Sequence, residues 1–218
     1  MPKPCLFLVA LLVAARVSAS GPLLEVPVWT EVEPFAGALE EPPPAEGVPT
    51  QLLEEARFLL GGMIYGYSFT YTPSDRARRV ADRFDLAPLG EVPWGDQRLQ
   101  VVWVQRRGYR LSARIAYEMA EFQSARRTAW STSSLPSATG RGEHSLFAGP
   151  NARQESVKKA IEQAIREYAR GRMDNKPREL RGDVVIWEPP YTVVGHGTYV
   201  TTVKVKLRIE ETVPYRVF

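Results

Sequence analysis

The sequence predicts an α+β fold, an antiparallel sheet with about three helices packed on one face. Three observations carry this expectation. Segments with helical and with strand periodicity are intermixed along the chain. A hairpin signal at Arg107-Gly108 joins the strand-like runs "RLQVVWVQ" and "YRLSARIAYEMAEF". The late run "TYVTTVKVKLRIE" places Tyr199, Val203, Val205, Leu207 and Ile209 on one side and Lys204, Lys206 and Arg208 on the other. That alternation is the mark of a strand with one buried and one wet face.

The elements follow in order. In "TQLLEEARFLLGGMIYG" apolar residues recur at 52, 53, 56, 59, 60, 63 and 64, the one-faced spacing of a helix, weakened near its end by Gly61-Gly62. Next, Tyr65, Tyr67, Phe69 and Tyr71 alternate with Gly66, Ser68 and Thr70. A strand there carries rings on one face and almost nothing on the other. The ladder reads as core, with a platform for sugar rings or bases as the rival reading. In "TPSDRARRVADRF" Thr72 suits an N-cap and Pro73 a first helical position, so a short second helix is expected with Ala77, Val80, Ala81 and Phe84 on one side. A Pro/Gly loop over 85–97 leads to the hairpin, whose second strand puts Tyr109, Leu111, Ala113, Ile115, Tyr117 and Met119 on one face and Arg110, Ser112, Arg114 and Glu118 on the other.

Residues 131–150, "STSSLPSATGRGEHSLFAGP", have no period and read as a long loop. Asn151 then caps a helix striped by Val157, Ala160, Ile161, Ala164, Ile165 and Tyr168, with Gly171 as its stop. Strand-like "DVVIWE", "YTVVG" and the alternating run follow, and His196 sits in a "GHG" turn.

Residues 1–19 read as a secretory signal peptide. Lys3 precedes the apolar run from Cys5 to Ala15, and Val17-Ser18-Ala19 offers small residues for cleavage. The apolar run is too short to span a bilayer, which takes about 20 residues, so no transmembrane segment is expected in the mature chain. Loss of Lys3 and Arg16 lowers the formal charge from +3 to +1, and loss of Cys5 leaves no cysteine. With no disulfide and no N-x-S/T glycosylation signal, an exported bacterial protein is expected, in the periplasm, with the extracellular space as the alternative. Residues 20–50 hold seven prolines, six glutamates and no basic residue. They read as a Pro/Glu-rich extended leader, largely unstructured or lying as an arm on its own domain. Residues 51–218 are expected to form a single α+β domain.

Residues 63–75, "MIYGYSFTYTPSD", resemble a group of uncharacterised exported proteins from spirochaetes, over roughly residues 55–145. The resemblance implies no activity.

The chemistry in the sequence is sparse. Two histidines without cysteine make no zinc signature, H-E-x-x-H is missing, and no G-x-S-x-G elbow supports a Ser-His-Asp triad. Ser156 and Lys159 spell S-x-x-K without its companion motifs, and both fall on the expected wet face of the helix. "TGRG" lacks the lysine of a phosphate loop, and Arg181-Gly182-Asp183 reads as the opening of a strand. Basic residues spread over several faces give no nucleic-acid footprint. No catalytic residue, metal site or cofactor is therefore assigned. Arg141, Glu143 and His144 on the 131–150 loop are the ligand-binding candidates. Two functions compete. One is a non-enzymatic envelope module that binds a partner or supports an assembly, the partner being another envelope protein or a cell-wall component. The other is a small-ligand or glycan-binding module, or a hydrolase, built on the 131–150 loop.

Overall fold

The computed structural model describes residues 21–32, 47–172 and 176–215. The expected signal peptide over 1–19 and its cleavage site lie outside the described residues, as does 33–46 of the expected leader.

The described residues form three helices and nine strands in two antiparallel sheets, an α+β fold as the periodicities predict. The expected single sheet divides into two. The smaller contains β1 (Leu23–Glu31), β5 (Arg110–Glu118) and β4 (Leu99–Arg107), in that order. The larger runs β3 (Arg83–Pro88), β2 (Tyr67–Thr72), β7 (Glu179–Ile186), β9 (Thr198–Val213) and β6 (Ser137–Ser145), with β8 (Tyr191–Gly195) also paired to β9. Helix α1 (Gly47–Ile64) touches both sheets, α2 (Glu121–Ala129) packs on α1, and α3 (Ala152–Arg172) lies on β6 and β9. A single buried cluster holds Val26 and Ile115 of the small sheet, Leu60 of α1, Ile161 of α3 and Leu207 of the large sheet.

Part of the proline-rich leader is structured. Residues 23–31 pair with β5 along their whole length, from Leu23 opposite Glu118 to Glu31 opposite Arg110. Leu24, Val26 and Val28 point into the core. Pro27 is tolerated because β1 is an edge strand, where one side of the ladder needs no donor. Helix α1 starts at Gly47, inside the expected leader.

The expected helix over "TPSDRARRVADRF" is a hairpin. Asp75 and Val80 bond each other through both backbone groups, at 3.0 and 2.9 Å, and Arg79 takes a left-handed φ of 57°. The Asp75 carboxylate accepts the Arg78 backbone N–H at 3.1 Å and pairs with its guanidinium at 2.6 Å. Such local bonding by Asp competes with helix formation. Phe84 and Leu86 then alternate along β3 opposite Tyr71 and Phe69. The third helix is α2, in a stretch whose start reads as a continuation of the preceding strand. Gln123 begins it by folding its amide oxygen back onto the Ala120 N–H at 2.8 Å.

The Arg107-Gly108 hairpin forms as read, with Gly108 at φ 58°. His196-Gly197 is a tight turn with φ of 51° and 74°. Val203, Val205 and Leu207 face in. Lys206, expected in water, is also buried: its ammonium donates to the Thr132 carbonyl at 3.2 Å and lies 4.5 Å from the centre of the Trp187 ring.

Candidate functional site

The three ligand candidates stand on a strand, not a loop. Residues 137–145 form β6, paired to β9 from Ser137 opposite Lys206 to Ser145 opposite Thr198. Gly140 and Gly142 press against α3 so closely that a Cβ on either would overlap backbone atoms of the helix. Arg141 and Glu143 therefore point the other way, into solvent, where they pair at 3.0 Å. His144 alternates to the opposite face and is half-buried. The strand joins the first two and turns the third away. None of the three lines the cavity beside Tyr67 or the small space beside Glu55 and Arg153. The missed signal was the small-polar alternation of "TGRGEHS" itself, a strand pattern with glycine where a helix lies close. Ser156, expected in water, is fully buried, and its hydroxyl contacts the Arg153 carbonyl at 2.7 Å and the Thr201 hydroxyl at 2.5 Å. Its S-x-x-K partner Lys159 is exposed, on the other side of the helix.

The aromatic ladder is core, as expected. Tyr67, Phe69 and Tyr71 are buried, and Phe84 of β3 lies 6.5 Å from the Phe69 ring and 6.2 Å from the Tyr71 ring. Tyr65 precedes the strand, and its hydroxyl accepts from the fully buried Gln123 amide at 2.6 Å. The same amide reaches the Tyr117 hydroxyl, which donates to Asp96 at 2.9 Å. The Arg98 guanidinium bonded to Asp96 holds its carboxyl well below the usual range, at about 2. Tyr67 lines a cavity of about 460 Å³ together with Arg57, Phe58, Gly62, Glu91 and Lys158. Burial, reinforced by the nearby charges of Glu55 and Glu91, pushes the Tyr67 phenol up, so it stays protonated.

A polar cluster fastens β1 to the body. Arg153 of α3 stands 3.2 Å from Glu55 of α1, both buried, and its guanidinium lies 4.4 Å from the Trp29 ring centre. Arg110 lies 3.8 Å from the same ring, and the Tyr199 hydroxyl donates to Glu31 at 2.9 Å. Burial raises the Glu55 carboxyl, and Arg153 opposes that shift. A carboxyl, a guanidinium and a phenol could serve acid–base chemistry, but the adjoining space is about 20 Å³. That is room for about one water and none for a substrate. The cluster is a clamp. Among the described residues, no three His, Cys, Asp or Glu side chains are grouped to hold a metal.

The surface that stands out is the β4–β5 hairpin. Among the described residues strand β4 is an edge, with β5 on one side only. Val101, Val102, Trp103 and Val104 are 53, 55, 46 and 52% exposed. Successive strand residues point to opposite faces, so both faces of β4 are apolar and open. A register shift between Val101 and Trp103 adds Val102 as a bulge. The strand's place is legible in the sequence but its exposure is not, because nothing local says which elements will cover it.

A protein-family model matches residues 13–215. The chain belongs to that family. A Treponema pallidum (strain Nichols) relative, described as "Uncharacterized protein", is 28% identical over 212 residues, 89% of this chain and 83% of the relative. The resemblance to uncharacterised spirochaete proteins thus extends well beyond 55–145, and the family brings no known activity. No solved structure matches.

Proposed function

We propose that this family member is an exported, non-enzymatic module of the bacterial cell envelope that docks on an envelope component and supports an assembly there. The observation that carries the reading is the bare β4 edge, four consecutive apolar residues left half exposed on both faces. Contiguous exposed apolar surface on a folded domain marks an interaction site more often than scattered residues do, and an open strand edge presents unpaired backbone donors and acceptors. The rival ligand-binding reading is the less favoured one, because β6 points Arg141 and Glu143 away from His144. Periplasmic export rests on the charge, apolar run and Val17-Ser18-Ala19 order at the start of the chain.

A photo-crosslinking residue at Trp103 in cells tests the docking. Capture of an envelope component, lost when Val102 is changed to Glu, supports the reading. An uncrosslinked Trp103 site, with capture only from β6, overturns it. N-terminal sequencing of the envelope fraction tests export: Ser20 as first residue is expected, and a retained Met1 sinks it.

A further inference from the structure

We infer that the component the β4–β5 hairpin meets is an anionic lipid surface, which it enters with Trp103 and its flanking valines. The inference rests on the docking reading above and names the partner. Its ground is the juxtaposition of an apolar strand exposed on both faces with a hairpin that carries arginine and no acid.

Charge comes first. Between Asp96 and Glu118 there is no acidic residue, while Arg98, Arg106, Arg107, Arg110 and Arg114 all fall there. Arg98 is engaged by Asp96 and Arg110 lies on Trp29. Arg106 and Arg107 are exposed next to the turn, Arg106 donating to the Gly108 carbonyl at 3.1 Å, and Arg114 is exposed on the outer face of β5, 3.8 Å from Glu25. Every charged side chain between Asp96 and Glu118 is therefore cationic, while Glu25 and Glu31 stand on β1, on the far side of β5 from β4. A basic residue near an anionic leaflet contributes about 1 kcal/mol, roughly a fivefold gain in affinity.

Shape comes second. Val101 and Val104 lie opposite Ile115 and Ala113, on the core-side face, whereas Trp103 lies opposite Arg114 on the other. A folded protein seated on one face would leave the other wet. A lipid interface can wrap around an edge strand and cover both. Trp103 is joined by Tyr109, 52% exposed in the turn, and rings with a polar handle favour the headgroup region. The free backbone edge of β4 would meet headgroups and water there, since no strand lies fully in hydrocarbon without a partner. No helix of the described residues is long and apolar enough to cross a membrane, so this is peripheral attachment.

The test is co-sedimentation of the chain from Ser20 onward, which includes every described residue, with vesicles of phosphatidylcholine alone or with phosphatidylglycerol added. Binding to the anionic vesicles alone is expected, falling steeply as salt is raised. Trp103→Glu should weaken it at least ~10-fold, and Arg107→Glu by roughly fivefold or more. Tyr191→Glu, at an exposed apolar site on β8, should leave binding unchanged. Circular dichroism melts identify any variant that fails to fold, and a probe attached at a Val102→Cys substitution reports insertion without removing Trp103. Equal or no binding to the two vesicle types overturns the lipid inference. If the crosslinker at Trp103 then still captures a protein, or sedimentation shows a dimer lost in Trp103→Glu, the docking reading survives with a protein occupant. If neither occurs, both readings fall.

Discussion

Gly142 and Ser156 meet backbone to backbone. A Cβ built on Gly142 would overlap the Ser156 carbonyl oxygen, so β6 and α3 approach as closely as two elements can. Gly140 repeats the relation one turn on, against Ala160 and Ala164. Gly142→Ala must then push the helix off the sheet, and overpacking of this kind costs roughly 1–3 kcal/mol or more. Urea denaturation should show a lowered midpoint for either glycine. A neutral result at both positions would contradict the close approach.

Glu55 and Arg153 form an ion pair that burial makes costly to break. Removing one partner of such a pair strands the other charge, at about 3–5 kcal/mol. Glu55→Gln and Arg153→Met should each lower the denaturation midpoint strongly. The double variant Glu55→Gln/Arg153→Met should lose less than the two single losses added. Strict additivity would mean that the two side chains do not interact.

Asp96 makes stability sensitive to acid. Its folded carboxyl titrates at about 2 against an ordinary 3.8. A depressed carboxyl stabilises the fold above its unfolded value, and that contribution is lost as pH falls from about 4 toward 2. With solvent screening the amount is on the order of 1 kcal/mol. Thermal melts of Asp96→Asn should run below the parent at pH 7 and converge with it near pH 2. A gap that is constant across that window would argue against the shift.

Arg141, Glu143 and His144 supply the converse expectation. The exposed Arg141–Glu143 pair contributes little to stability, as such pairs do. The triple alanine variant should keep its melting temperature within roughly the change expected of about 0.5 kcal/mol. It should also keep whatever the Trp103 crosslinker captures. Loss of capture with the fold intact would favour the ligand reading over docking at β4.

Periodicity, by itself, determined much of this protein. The stripes at 52–64 and 157–168 became α1 and α3, and the alternation at 110–118 and 199–209 became β5 and β9. The turns at Gly108 and at His196-Gly197 also formed as read, because a left-handed backbone is a local demand that glycine meets cheaply. These features are legible because they depend on neighbours a few residues away. Tertiary structure decided the rest. Residues 137–145 became a strand because β9 pairs them and α3 covers their glycines, both far away in the chain. Lys206 went inside because Thr132 and Trp187 close over it. Residues 23–31 became a strand because β5 presents an open edge to them. Whether a face is core or surface is settled by which distant element lands on it, and among the described residues no element landed on the outer edge of β4.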